Sequence, residues 1–260
     1  MTRVVSPGKK DKPTWRWWIF AAVLLLSFIV LQLPAAWILA RVSPNNPYLE
    51  NVSGNIWHGQ GDWHYKNVQG VLSWQVRPWT LLLLRASASV DLKTGDTHLQ
   101  GIVTQGAHRF ELSGINGQID AGTLQALLPW QWPSAPILFK DVSLVQHDKT
   151  GFSDVSGQLS WGGGVLGYPY EGHNERATLP TLRGELSEDH GRLHLALTTE
   201  QKERMGDFYL SNSGTSAKDT MLDIQLTQRL LLNVSGYHGQ AGLDTAVITM
   251  RQPLATVGAM

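Results

Sequence analysis

The chain has 260 residues, in which 21 Lys and Arg are balanced by 21 Asp and Glu, and it contains no cysteine. A balanced charge with no cationic block beyond the first 16 residues argues against nucleic-acid binding, which needs a concentrated positive face. The lack of cysteine excludes disulfides and thiolate metal sites, and it is compatible with location of the protein in an oxidising compartment.

The first predicted element is a membrane-spanning helix. Residues 17–40 are mostly Leu, Ile, Val, Phe, Ala and Trp, and no charged side chain lies between Arg16 and Arg41. An apolar run of about 20 residues is long enough to cross a bilayer as a helix. The basic tail, residues 1–16, is predicted to stay in the cytoplasm because positive charge is retained on that side. The rest of the chain is then periplasmic, and the protein is a single-pass protein of the cell inner membrane.

A cleaved signal peptide is the competing interpretation of this segment. Residues 34–36 (PAA) resemble the small-residue region that precedes a cleavage site. However, the apolar run is longer than the usual core of a signal peptide, and residues 37–39 continue it. The sequence therefore favours an uncleaved anchor.

Beyond a predicted linker at residues 41–48, residues 49–260 are predicted to form a mainly β periplasmic domain. Short segments alternate polar and apolar residues without long helical periodicity, which is typical of half-buried strands. The short spacing between them indicates an antiparallel β-sheet, and a curved or groove-like form is left open. The predicted strands are Ser87–Leu92, His98–Val103, Arg109–Leu112, Ile137–Val145, Val155–Trp161, Leu193–Leu197, Met221–Leu226, Leu230–Val234 and Thr245–Met250.

Two short helices are predicted within this domain. In residues 123–129, Thr123 can cap the first turn and Pro129 can end it. Residues 78–84 are the other candidate, but their four consecutive leucines equally fit a buried strand or a segment lying against the membrane surface.

A tripeptide, Val-Ser-Gly, occurs at residues 52–54 and 155–157, and a tryptophan follows soon after each copy. One interpretation is a strand that ends in a turn. The other is two related halves, which would divide near residues 129–136.

Local signatures of catalysis and of metal or cofactor binding are not found. The residues Ser187, Asp189 and His190 are the types of a hydrolytic triad, but neighbours in one polar turn rarely reach the required geometry. His190 and His194 lie in a segment that reads as a strand, which separates residues four apart by roughly 13 Å and prevents them from sharing one ion. The sequence therefore predicts that the protein is not an enzyme and that it has no catalytic residues, no metal ion and no cofactor.

Seven tryptophans lie beyond the predicted anchor. Each indole can bury a large apolar area, so they fit either core packing or an interaction surface. They are Trp57, Trp63, Trp74, Trp79, Trp130, Trp132 and Trp161.

Residues 52–61 (VSGNIWHGQG), followed by residues 72–78 (LSWQVRP) and two further leucines, resemble protein N of the bacterial type II secretion system. The resemblance continues through residues 157–161 (GQLSW) and, more weakly, residues 191–193. It implies an anchored accessory subunit of the inner-membrane platform, with a glycine-rich β domain that serves export of folded proteins across the outer membrane. It also implies contacts with other platform proteins and with the outer-membrane secretin, no catalytic residues, and phospholipid contact through the anchor. Residues expected to serve interaction or core packing are Trp57, Gly59, Trp63, Trp74, Pro78, Trp79 and Trp161.

The first half of the motif also resembles AsmA-like periplasmic domains. This second resemblance implies a lipid-binding or lipid-transport module, in which an apolar sheet face forms a groove lined by Trp57, Trp63 and Trp74.

Overall fold

The computed structural model describes residues 15–44, 46–128, 130–148, 150–170, 173–212, 220–235 and 239–254. Most of the predicted cytoplasmic tail, residues 1–14, lies outside these ranges. So do Asn45 of the predicted linker and Pro129, the residue expected to end a helix.

Two helices form the start of the described chain. Helix α1 spans Trp15–Leu31 and helix α2 spans Ala35–Val42. Between them lies Pro34, in an extended conformation with φ −65° and ψ 133°, which has no N–H to continue a helix. The segment predicted as one anchor, residues 17–40, is therefore two helices. Within the described ranges, no helix has both the length and the apolar character required to cross a membrane.

In the described ranges fifteen strands follow, joined mostly by short turns, together with three short helices. Thirteen strands form one antiparallel sheet whose order follows the chain, while β9 and β10 pair with each other outside it. The predicted antiparallel, mainly β architecture is confirmed. The strands are β1 Leu49–Gly54, β2 His58–Tyr65, β3 Val68–Val76, β4 Ala86–Thr94, β5 Thr97–Gln105, β6 Arg109–Ile119, β7 Ile137–His147, β8 Gly151–Trp161, β9 Gly164–Tyr170, β10 His173–Leu179, β11 Leu182–Asp189, β12 Arg192–Thr199, β13 Arg204–Asn212, β14 Thr220–Thr227 and β15 Ala246–Pro253, and the helices are α3 Pro78–Leu81, α4 Ala121–Leu127 and α5 Gln228–Ser235.

The two faces of the sheet differ in polarity. Cross-strand partners lie on the same face, and the pairing places leucines opposite other apolar residues from strand to strand. On β12, for example, Leu193 lies opposite Leu210 and Leu195 opposite Phe208, whereas His194 points to the other side. We call the face that carries Leu193 and Leu195 the apolar face, and the face that carries His194 the polar face.

The core of this sheet is thin. Ten apolar side chains are buried in the described chain, and most leucines of the apolar face are only half-buried. The accessible surface of the chain is 17680 Å², whereas a compact protein of this mass would expose roughly 11,000 Å². The exposed helix α1 and the incompletely covered apolar face of a single layer of strands both contribute to this excess.

Two sequence predictions need correction. The segment predicted as a strand at Leu230–Val234 lies in α5, because a short apolar run does not distinguish a buried strand from a helix. Thr227 favours the helix at this point, since its hydroxyl accepts a hydrogen bond from the backbone N–H of Leu230 at 3.3 Å. The N-cap of α4 is Asp120 and not Thr123, and its carboxylate accepts from the N–H of Gly122 at 2.8 Å.

Candidate interaction surfaces

The turn between β1 and β2 is joined to the end of helix α1. The indole Nε1 of Trp57 donates to the carbonyl of Val30 at 3.1 Å, and the N–H of Ile56 donates to the carbonyl of Leu33 at the same distance. The carbonyl of Trp57 in turn accepts from the N–H of Val76 at 2.6 Å. Trp57 therefore connects the helix to the end of β3.

Glycine and tryptophan face each other twice on the apolar face between β2 and β3, once towards each end of the strand pair. Gly59 lies opposite Trp74, and Gly70 lies opposite Trp63. A Cβ at Gly59 would come within 2.6 Å of Cζ2 of Trp74 and within 2.4 Å of the carbonyl oxygen of Ser53. The glycines leave the space that the indoles occupy, so Gly59, Trp63 and Trp74 have a packing role in the sheet.

A loop of exposed apolar residues follows β3. We define residues 79–84 (WTLLLL) as the leucine loop. Pro78 occupies the first turn of α3, where its missing N–H is harmless. The exposed fraction is 79% for Trp79 and reaches 88% for Leu84. The helix predicted for residues 78–84 is thus found only to Leu81, and the loop is not a buried strand.

Internal hydrogen bonds define the shape of the leucine loop. The hydroxyl of Thr80 donates to the carbonyl of Arg77 at 2.7 Å and accepts from the N–H of Ser87 at 3.2 Å. The carbonyl of Thr80 also accepts from the N–H of Arg85 at 3.1 Å. These bonds hold the two ends of the loop together, so the leucines project from a fixed backbone.

Trp161 lies in a different part of the sheet from the other predicted residues. It is only 7% exposed, and its Nε1 donates to the carbonyl of Ala135 at 3.1 Å. Its ring meets that of Trp132 edge to face at 6.1 Å, and Trp132 lies 5.7 Å from Trp130. The residues predicted from the sequence therefore lie in four places. Trp57 bonds to the end of α1, Gly59, Trp63 and Trp74 pack between β2 and β3, Pro78 and Trp79 lie at the leucine loop, and Trp161 belongs to this tryptophan cluster.

The polar face carries a shallow groove over its first six strands, with a volume of about 890 Å³. Gln60, Ser73, Asp91 and Gln100 are successive cross-strand partners that line it. Asp91 accepts from Nε2 of the adjacent His98 at 2.7 Å. This hydrogen bond is the main reason that the pKa of Asp91 is lowered. The groove is open, and its lining combines these polar side chains with apolar groups such as Ile102.

The polar face also brings together Ser187, His194 and Asp207, a set that sequence spacing did not reveal. The Oγ of Ser187 lies 3.3 Å from Nδ1 of His194, whose Nε2 lies 2.7 Å from a carboxylate oxygen of Asp207. If Nε2 carries the proton donated to Asp207, then Nδ1 is free to accept from the Ser187 hydroxyl. The side chain of Asp207 is 6% exposed, so its polar partners are needed to compensate for its burial.

This set differs from a hydrolytic triad in two respects. A triad serine bonds to Nε2 of its histidine and the aspartate to Nδ1, and here the two nitrogens are exchanged. Asp207 also forms an ion pair with Arg204 at 2.6 Å, which offsets the negative charge that would support a histidinium. The set fits a structural network. Within the described residues, no group of His, Asp and Glu is arranged to hold a metal ion.

The adjacent residues considered in the sequence form a separate exposed group. Asp189 contacts His190 at 2.6 Å and also pairs with Arg192. Hydrogen bonds from His190 and then Arg192 lower the pKa of Asp189. Ser187 is hydrogen-bonded to His194 and to neither Asp189 nor His190, so residues 187–190 do not form a catalytic set.

The two edges of the sheet are β1 and β15. Helix α2 packs against β1. In the described part of the chain, β15 pairs only with β14, and five consecutive residues from Val247 to Arg251 are exposed. An edge strand with free backbone groups is a template for strand addition by a partner.

Comparison with known proteins adds one match. A family model described as type II secretion system (T2SS), protein N, matches residues 45–259. No curated protein and no solved structure matches the chain.

Proposed function

Because the chain belongs to the type II secretion system protein N family, we propose that it is a non-catalytic accessory component of the type II secretion machinery. In this role it assists the export of folded proteins from the periplasm across the outer membrane. The observation that carries the proposal is the extent of the family match, which covers every strand of the sheet, including both edge strands.

The family is associated with the inner membrane, and we propose that α1 supplies the anchor. Its 17 residues extend about 26 Å at 1.5 Å per residue, which is close to the roughly 30 Å thickness of a hydrocarbon core. From Trp17 to Leu31 its large apolar side chains are exposed. The basic tail, residues 1–16, would stay in the cytoplasm, and the β domain, residues 49–260, would lie in the periplasm beyond a short linker at residues 41–48.

We propose that the open edge at β15 is where secretion proteins bind. The edge offers backbone hydrogen-bonding groups, and Val247, Ile248 and Met250 add exposed apolar side chains. The partners would be other inner-membrane platform proteins, and the outer-membrane secretin is a further candidate.

Site-specific photo-crosslinking in intact cells tests this role. A photoreactive residue at Val247 or Thr249 is compared with one at Asp96, an exposed turn residue distant in sequence from β15. After purification in mild detergent, we expect platform proteins or the secretin to be crosslinked from β15 and not from Asp96. Unchanged exoprotein export after deletion of the gene would contradict the secretion role itself, whatever the crosslinks show.

Lipid binding is the second candidate function, and the specific observation that favours it is the continuous, half-buried apolar face. Leu195 on this face and Ala196 on the polar face are neighbours on β12, so they form a matched pair. A photoreactive residue at Leu195 should capture phospholipid if the face holds acyl chains, whereas one at Ala196 should not. Equal capture at both positions, or none, would count against a lipid site.

A further inference from the structure

The leucine loop presents large apolar side chains on a defined backbone with nothing packed over them in the described chain. Trp79, Leu82, Leu83 and Leu84 are each more than 70% exposed. Single exposed leucines are common on protein surfaces, but a contiguous apolar group of this kind marks an interaction site. The turn at the opposite end of β4, residues 94–97 (TGDT), contains no apolar side chain.

The loop lies at the end of the sheet that is joined to α1. Arg77, which directly precedes α3, follows Val76, and the N–H of Val76 donates to Trp57 at 2.6 Å. Trp57 in turn donates to Val30 in the last turn of α1 at 3.1 Å. A short series of hydrogen bonds thus places the loop near the end of the exposed apolar helix.

From this placement we propose that the leucine loop inserts into the bilayer interface beside α1, as a second contact with the inner membrane. The proposal rests on the anchoring role proposed for α1. The occupant is a phospholipid bilayer surface, because the hydrogen bonds of Trp57 place the loop at the same end of the sheet as the last turn of the exposed apolar helix α1.

The chemistry of the loop fits this occupant. Tryptophan prefers the interface, where its ring contacts acyl chains and its N–H stays hydrated. Arg77 and Arg85 flank the loop and are both exposed, so their guanidinium groups can pair with lipid phosphates. Leucines placed between two cations resemble the apolar and basic composition of interfacial segments.

The native chain has no cysteine, so a single introduced cysteine can carry a fluorescent label without background. We would label the full chain at Val23→Cys on α1, at Leu83→Cys in the loop, or at Asp96→Cys as the control. Each sample is reconstituted in nanodiscs of phosphatidylethanolamine and phosphatidylglycerol. Quenching is then measured with lipids that carry a nitroxide near the head group or deep in the acyl chain.

We expect the Leu83 label to be blue-shifted and quenched mainly by the shallow nitroxide, the Val23 label to be quenched mainly by the deep one, and the Asp96 label by neither. In a second variant, Leu82→Glu on the Leu83→Cys background, quenching should fall to the level seen at Asp96. This change leaves the fold intact, because Leu82 is 78% exposed.

Quenching at Val23 together with a Leu83 label that behaves like Asp96 would overturn the loop proposal while leaving the anchor intact, and it would point to a protein partner for the loop. A Val23 label that is not quenched would overturn the anchor itself. Loss of quenching at both positions would overturn both proposals.

Discussion

The sheet has two parts that are stabilised in different ways. From β1 to β3, glycines on one strand receive tryptophans from the next, as in the pairs Gly59 with Trp74 and Gly70 with Trp63. From β11 to β13, the distinctive contacts are polar, and Asp207 bonds to both His194 and Arg204. The stability of the first part depends on the close fit of tryptophans against glycines, and that of the second part depends on the hydrogen bonds of a buried carboxylate. The two parts should therefore be destabilised by different substitutions.

The largest effect should follow from Gly59→Ala in the first part. The added methyl group would lie 2.4 Å from the Ser53 carbonyl oxygen, and because this neighbour is backbone, the strand pair must separate. We expect the free energy of unfolding to fall by about 2 to 3 kcal/mol. The measurement is urea unfolding of the full chain in detergent, followed by tryptophan fluorescence.

Gly106→Ala is the matched control for that variant, since the nearest atom to its added methyl would be at an ordinary 3.5 Å. Equal losses in the free energy of unfolding for Gly59→Ala and Gly106→Ala would show that the packing of tryptophan against glycine does not determine stability in the first part.

The next largest effect is expected for Asp207→Asn in the second part. The side chain is 6% exposed, and an amide cannot satisfy Arg204 and His194 together as the carboxylate does, so we expect a loss of about 1 to 3 kcal/mol. Asp91→Asn is the comparison, because Asp91 also accepts from a histidine Nε2 at 2.7 Å but is 33% exposed. Its loss should stay below about 1 kcal/mol. If the two losses were the same, burial would not be the reason that Asp207 matters for stability.

A smaller, pH-dependent effect is expected at Asp120, which caps α4. Burial raises the pKa of this carboxyl, but hydrogen bonds from Thr123, Thr97 and Gly122 outweigh it, and the net pKa lies below its ordinary value. The folded state therefore gains stability when the group is ionised, and loses it as pH falls through about 4 and below. Asp120→Asn keeps the cap but not the charge.

We expect this variant to be less stable than the native chain by about 0.5 to 1 kcal/mol at pH 7, with the difference vanishing at strongly acidic pH. Urea unfolding at a series of pH values measures it. A difference that is constant with pH would mean that the charge of Asp120 does not contribute.

The smallest effect should come from Ser187→Ala. If the Ser187, His194 and Asp207 set is structural, removal of one hydroxyl should change stability by about 0.5 to 1 kcal/mol and leave exoprotein export unchanged. Loss of export in a variant that is folded and present at normal levels would instead show that the serine has a chemical role.

The strands that alternate regularly could be predicted from the sequence, and the glycine-rich ones could not. Leu193–Leu197 alternates cleanly and lies in β12 as expected. In β2, Gly59 and Gly61 lower the apparent strand propensity, although the glycine at position 59 is what allows Trp74 to pack. Similarly, Leu230–Val234 has the composition of a strand, but the hydroxyl of Thr227 at the end of β14 favours a helix there.

The polar network shows where sequence reasoning ends. A hairpin that turns at residues 190–191 aligns Ser187 with His194, so this pair could have been inferred from the predicted turn. Asp207 could not, because its position depends on the register of β13, in which a shift of pairing occurs between Leu197 and Thr198. A one-residue shift of this kind reverses the face to which a side chain points.

The unequal edges of the sheet limit how many partners can join one chain by strand addition. If partners add at strand edges, α2 packed against β1 leaves β15 as the edge that accepts them. A head-to-tail series needs two complementary edges on every copy, so these chains would not form an open filament. Pairing through β15 ends after one addition, and it gives either one partner strand per molecule or a closed dimer of two copies.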